Sequence, residues 1–137
     1  EIILMRSKRG AMDKTSKIKP KNDLSLLQYK VTQEGATEPP FSHSGFEKDT
    51  KVFVCVCCDS KLFKIENKFE SGSGWPSFSS PYSSEVITEH RDESYGMIRT
   101  EVKCKKCDAH LGHVFEDGPE PTGLRYCING VAIDGKK

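Results

Sequence analysis

The stretch Arg125-Tyr126-Cys127-Ile128-Asn129 sets a guanidinium, a thiol and an amide at alternate positions. In a strand, alternate side chains share one face, so the three would stand together. A cysteine acts as a nucleophile in its thiolate form, which a neighbouring arginine or protonated histidine favours. Two histidines, His110 and His113, precede this stretch across a turn-rich loop from Glu116 to Gly123. If residues 111–115 and 124–128 pair antiparallel with Phe115 opposite Leu124 or Arg125, Cys127 lies opposite Gly112 or His113. His110 and His113 differ in parity and would point oppositely in a regular strand. A bulge at Gly112 would bring both imidazoles to the side of the thiol. A protonated imidazole there can donate to an oxygen on a substrate, and Asn129 adds a neutral donor. The bland alternative is that the histidines are ordinary polar residues at a sheet end, or zinc ligands.

Four other cysteines occur as two knuckles, Cys55-Val-Cys-Cys58 and Cys104-Lys-Lys-Cys107, with residues 59–103 between them. Four thiolates in this pattern suit a closed tetrahedral zinc site, structural because no coordination position is left for water or substrate. The pattern favours a metal in a reducing compartment over disulfides. Cys57 lies inside the first knuckle. It reads as a small buried residue, with a substitute ligand or a redox role as the alternatives. The single tryptophan, Trp75, lies in Ser71-Gly-Ser-Gly-Trp-Pro-Ser-Phe78, a turn with two glycines and a proline. It is either core or, with Phe78 and Phe115, the wall of an apolar pocket.

The elements that must hold these groups are short. Candidate strands are 51–54, 61–63, 86–89, 96–102, 111–115 and 124–128, with 131–133 extending the last. Ahead of them, Asn22 or Asp23 would cap a helix carrying Leu24, Leu27 and Val31 on one face and stopping at Gly35. The expectation is an all-β body with a small N-terminal helix, one domain over residues 22–137. Residues 1–21 read as a flexible basic tail with a balance of +5, against −4 for the rest. Gly10-Ala11-Met12 reads as a cloning remnant before a native start, or the tail as a remnant of an organellar targeting segment; both stay open. The folded part is mildly acidic, so no nucleic-acid partner is expected. No apolar run nears the ~20 residues that span a membrane, so no membrane association is expected.

Four segments together resemble the B-type methionine sulfoxide reductases. They are Lys68-Phe-Glu-Ser-Gly-Ser-Gly-Trp-Pro-Ser-Phe78, Arg99-Thr-Glu-Val102, Asp108-Ala-His-Leu-Gly-His-Val-Phe-Glu-Asp-Gly-Pro119 and Gly123-Leu-Arg-Tyr-Cys-Ile-Asn129. The likeness runs from about Leu24 to Ile133 and includes Glu38-Pro-Pro-Phe-Ser42 and both knuckles. It implies two antiparallel sheets with an N-terminal helical part and a structural Zn2+ on Cys55, Cys58, Cys104 and Cys107. It implies Cys127 as catalytic cysteine, with His110, His113, Arg125 and Asn129 on polar active-site positions. Trp75 and Phe115 fall on residues of the pocket for the sulfoxide's methyl group. The implied substrates are proteins carrying methionine-R-sulfoxide. Thioredoxin or another thiol would be the reductant. Apart from the resemblance, a monomer is the default expectation, and the compartment stays open between the cytoplasm, taken first, and the mitochondrion or another organelle. One departure is informative. Many members carry a resolving cysteine where this chain has Ser73, and serine cannot form a disulfide with Cys127. An outside thiol, or else Cys57, must then regenerate the enzyme. Two other readings of the residues remain at this point: a zinc-binding interaction module without activity, and a different thiol enzyme such as a peroxidase or disulfide oxidoreductase.

Overall fold

The computed structural model describes residues 23–137, and the basic tail expected over 1–21 lies outside them. The first α-helix among the described residues is α1 (Leu26–Glu34). Its N-cap is Ser25, not the expected Asn22 or Asp23 (Asn22 also lies outside the described residues). Ser25 Oγ accepts the Gln28 N–H at 3.1 Å while Gln28 Oε1 accepts the Ser25 N–H at 2.8 Å. This reciprocal pair satisfies two amides that the first turn leaves open, which a cap farther upstream would not. Gly35 ends the helix at φ 72, as its freedom in the left-handed region allows. Of the expected apolar stripe only Val31 is fully buried; Leu24 packs partly and Leu27 is 38% exposed.

Nine strands follow: β1 (Val52–Cys55), β2 (Lys61–Lys64), β3 (Lys68–Phe69), β4 (Ser77–Phe78), β5 (Ile87–Asp92), β6 (Arg99–Cys104), β7 (His110–Phe115), β8 (Arg125–Ile128) and β9 (Ile133–Lys136). They form two antiparallel sheets, β2-β1-β9 and β3-β4-β8-β7-β6-β5. The six expected strands are present with shifted ends, whereas the two-residue β3 and β4 carry too little pattern to be seen in the sequence. The expected extension of the last strand through 131–133 does not occur. Gly130–Ala132 forms a 3-10 turn instead, and Ile133 opens β9, which pairs with β1 in the other sheet.

The core lies between the sheets and is tied by aromatic side chains. Phe63 of β2 stacks on Phe78 of β4 at 4.4 Å between centroids, and Phe53 of β1 meets the same ring edge-on at 5.1 Å. All three are fully buried, so ring geometry adds to the burial term in fixing how one sheet faces the other. Helix α1 packs on β7 and on the 3-10 turn after β8.

Candidate active site and metal centre

Strand pairing in the larger sheet generates the site directly. One row of directly opposed residues crosses all six strands: His90, Glu101, His113, Cys127, Ser77 and Phe69. Opposed residues in an antiparallel sheet project to the same face with Cβ atoms ~5 Å apart, so His113 and Cys127 are side-chain neighbours. Two residues along, Phe115 is opposite Arg125, and the guanidinium lies over the Phe115 ring at 4.6 Å. Of the two expected pairings across the loop, the one realised puts Cys127 opposite His113.

A bulge does bring the two histidines together, but at Leu111. Pairing of β7 with β6 passes from Gly112 opposite Val102 to His110 opposite Lys103, leaving Leu111 as the extra residue. The His110 and His113 rings then sit 5.6 Å apart, edge to face. Gly112 serves another purpose. A Cβ there would collide with the carbonyl oxygen of Cys127, so glycine lets β7 and β8 approach.

Each imidazole is held by a carboxylate. His110 Nδ1 is 2.6 Å from Glu101 Oε2, and His113 Nε2 is 2.7 Å from Asp92 Oδ2. Asp92 also accepts the Ser94 N–H at 3.0 Å and faces Arg99 Nη2 at 3.5 Å. The hydrogen bond from His113, joined by the Ser94 amide, holds the Asp92 carboxyl well below the usual carboxylate range. Burial pushes His110 below its ordinary value, against the opposing pull of Glu101. Its Nε2 is buried and has no hydrogen-bond partner among the described residues. Asp92 and Glu101 could not be found from the sequence, because nothing in their spacing shows which histidine they will oppose. The parity of Glu101 with Arg99 was visible, but the pairing of β6 with β7 was not.

Cys127 is half-buried. Burial pushes its thiol up, while the Ser73 hydroxyl and the Arg125 charge act in the opposite sense. Ser73 Oγ stands 3.9 Å from Cys127 Sγ. Arg125 does not point freely at the thiol: it makes a two-pronged ion pair with Asp117, Nε to Oδ1 at 2.9 Å and Nη2 to Oδ2 at 3.2 Å. Asn129, expected beside Arg125 and Cys127 as a free donor, is 3% exposed and has both ends of its amide engaged within the fold. Its Oδ1 accepts the Glu38 N–H at 2.9 Å, and its Nδ2 donates to the Leu111 carbonyl at 3.0 Å. Trp75 lines a cavity of about 400 Å³ with Phe41, Phe46 and Phe69. A neighbouring cavity of about 490 Å³ holds Ser73, Asp117 and Arg125, and the two share Phe69, Ser71 and Gly72. Phe115 lines neither of these two cavities.

The sulfurs of Cys55, Cys58, Cys104 and Cys107 all lie within 4.8 Å of one another, and Cys57 is not in the group. Two of the separations are 3.6 Å, Cys55 to Cys107 and Cys58 to Cys104. A tetrahedron with metal–sulfur bonds of ~2.3 Å has edges of about 3.8 Å, so the four thiols fit a metal ion. The knuckles repeat one geometry. Asp59 and Asp108 follow them at φ 64 and 67, and each donates its N–H at 2.8 Å to the carbonyl of the first cysteine, Cys55 or Cys104. Cys57 is fully buried and accepts from Gln33 Nε2 at 3.5 Å.

A family model for the SelR domain matches residues 24–137. Similar proteins include the peptide methionine sulfoxide reductase MsrB of Thioalkalivibrio sulfidiphilus, 55% identical over 114 residues, which cover 82% of this chain and 83% of that protein. The MsrB of Pseudomonas fluorescens is 58% identical over 108 residues (78% and 82%), and that of Acinetobacter baylyi 47% over 128 residues (93% and 91%). With this likeness spanning the whole β body, the chain belongs to the B-type methionine sulfoxide reductases, enzymes that reduce peptide methionine-R-sulfoxide to methionine with electrons from a thiol.

Proposed function

We propose that Cys127 is the nucleophile, that His110 and His113 handle the protons, and that recycling uses an external thiol. The observation that supports this most directly is His113 directly opposite Cys127, with His110 brought alongside by the bulge. The Cys127 thiolate attacks the sulfoxide sulfur to form an S–S bond, and the oxygen passes to Cys127 as both the S–O bond and that S–S bond to the methionine sulfur break. Methionine leaves, and Cys127 becomes a sulfenic acid. In sum, sulfoxide plus thiol gives sulfide plus sulfenic acid, with no net proton change. In its protonated form His113, oriented by Asp92, or His110, oriented by Glu101, or both, donates to the sulfoxide oxygen as it gains charge. Arg125, fixed by Asp117 over Phe115, favours the thiolate. Asn129 secures the end of β8 to β7, and Trp75 and Phe115 supply apolar surface for the substrate.

A reductant thiol then attacks the sulfenic acid, releasing water and leaving a mixed disulfide; a second thiol reduces this and restores Cys127. Thioredoxin or a small thiol fills the role, because position 73 carries a hydroxyl beside Cys127 and Cys57 is buried against the metal cysteines. The four clustered cysteines would hold Zn2+, which ties the two knuckles together and takes no part in the reaction. A thiol that must be re-reduced each cycle suits a reducing compartment, the cytoplasm first, and a monomer suffices for the site as described. Mass spectrometry of enzyme treated with methionine-R-sulfoxide and no reductant tests the recycling route. A gain of one oxygen, trapped by a sulfenic-acid reagent at Cys127, is the expected result. A Cys57–Cys127 disulfide would overturn it.

A further inference from the structure

Glu38 is fully buried, yet its carboxylate belongs to none of the groups that handle substrate in the proposed reaction. Burying a carboxylate is unfavourable unless its oxygens find donors. Oε2 accepts the Gly130 N–H at 2.9 Å and Oε1 the Val131 N–H at 3.0 Å, both in the turn that follows the Cys127 strand. Two backbone donors, one on each carboxylate oxygen, make this pin firm. The backbone of the same residue is used twice more. Its N–H donates to Asn129 Oδ1 at 2.9 Å, and its carbonyl accepts Trp75 Nε1–H at 2.9 Å.

Residues 38–43 therefore form a strap between the end of β8 and the Trp75 turn. Farther along, Phe41 sits at φ 60, a backbone setting unfavourable for a bulky residue, and donates its N–H to the Gly74 carbonyl at 2.7 Å. A Cβ on Gly74 would lie 2.8 Å from the Phe41 ring, and one on Gly130 would strike the His43 ring. The strap is thus pressed against both segments through glycines. Glu38 is its only fully buried residue.

We infer that Glu38 is a positioning residue: by docking its carboxylate on Gly130 and Val131, it holds the carbonyl that orients the Trp75 indole at the substrate pocket. This rests on the reading of Trp75 as a wall of that pocket. Glu38 touches neither substrate nor Cys127; it acts through the strap.

Trp75 is the only tryptophan in the chain, so indole emission reports on this one side chain. The experiment compares wild type, Glu38→Ala and Glu38→Gln as full-length metal-loaded protein, with circular dichroism and metal content verifying the fold. In Glu38→Ala the emission should move to longer wavelength and acrylamide should quench it faster. KM for a blocked methionine-R-sulfoxide should rise about tenfold, the scale of one lost buried hydrogen bond, with kcat at saturation within about twofold. Alkylation of Cys127 should keep its rate and pH profile. Glu38→Gln, retaining one acceptor oxygen, should fall between and carries the test if Glu38→Ala does not fold. Unchanged emission and quenching in both variants would overturn the inference. So would a parallel fall of kcat, kcat/KM and alkylation rate, which marks a general structural loss. Trp75→Leu separates the two claims: if its KM equals wild type the pocket reading fails, while an emission change in the Glu38 variants still stands for the strap.

Discussion

Cys127 sits where burial opposes its ionisation, so whatever favours the thiolate must come from its neighbours on the sheet face. Ser73 offers one hydroxyl at 3.9 Å, and Arg125 offers a full charge steadied by Asp117 and Phe115. Removing that charge should raise the Cys127 pKa further, because a nearby cation favours the anionic form. In Arg125→Met the iodoacetamide alkylation curve should therefore move to higher pH. The rate near neutrality should fall about tenfold for every pH unit by which the curve moves. An unmoved curve would mean that Arg125 serves substrate or structure and not the thiol. The alternation that set Arg125 beside Cys127 could be read from three residues of sequence. The carboxylates could not: Asp92 lies 21 positions from His113, and only the β5–β6–β7 pairing brings them within 2.7 Å. Asn129 has the right parity too, yet its amide is committed to Glu38 and Leu111.

At the scale of the element, β7 does most to shape the site. It carries both histidines, accepts Asn129 at Leu111, and runs so close to β8 that Gly112 has no space for a side chain. Gly112→Ala would force the Cys127 carbonyl away and is expected to destabilise the fold by about 1–3 kcal/mol, the range for overpacking. Because His113 and Cys127 are opposed across this contact, kcat should fall even below the melting transition. A variant with wild-type stability and kcat would show that the strands can part without effect. The bulge was foreseeable from parity, since only an inserted residue lets positions 110 and 113 share a side. Its location was not, because glycine suits both a bulge and a close approach and here serves the latter. The helix cap was missed for a related reason: several polar residues precede α1, and the reciprocal Ser25–Gln28 pair selects among them.

Across the whole molecule the two knuckles lie on different sheets, Cys55 at the end of β1 and Cys104 at the end of β6. A metal on all four sulfurs would join the sheets at the end of the core, reinforcing the Phe53–Phe63–Phe78 stack. Metal analysis is expected to find about one zinc per chain, and Cys104→Ser should lose it. That loss should remove most of the ~5–15 kcal/mol that a domain of this size commands, seen as a collapse of the thermal transition. Retained metal and an unchanged transition would contradict the clamp. The cluster was legible in sequence because two Cys-x-x-Cys pairs leave few alternatives, whereas the strap at Glu38 was not, since an acidic residue before two prolines looks like any solvated loop. What the fold adds to the motifs is the joining of distant segments at one thiol.

Turnover of separated R and S epimers of a blocked methionine sulfoxide, with a small-thiol reductant, by wild type and Cys127→Ser bears most directly on the role of this thiol. Wild type should reduce the R epimer alone, and Cys127→Ser should reduce neither. Equal turnover of both epimers, or activity surviving in Cys127→Ser, would contradict the assignment of Cys127 as the nucleophile of an R-specific reductase.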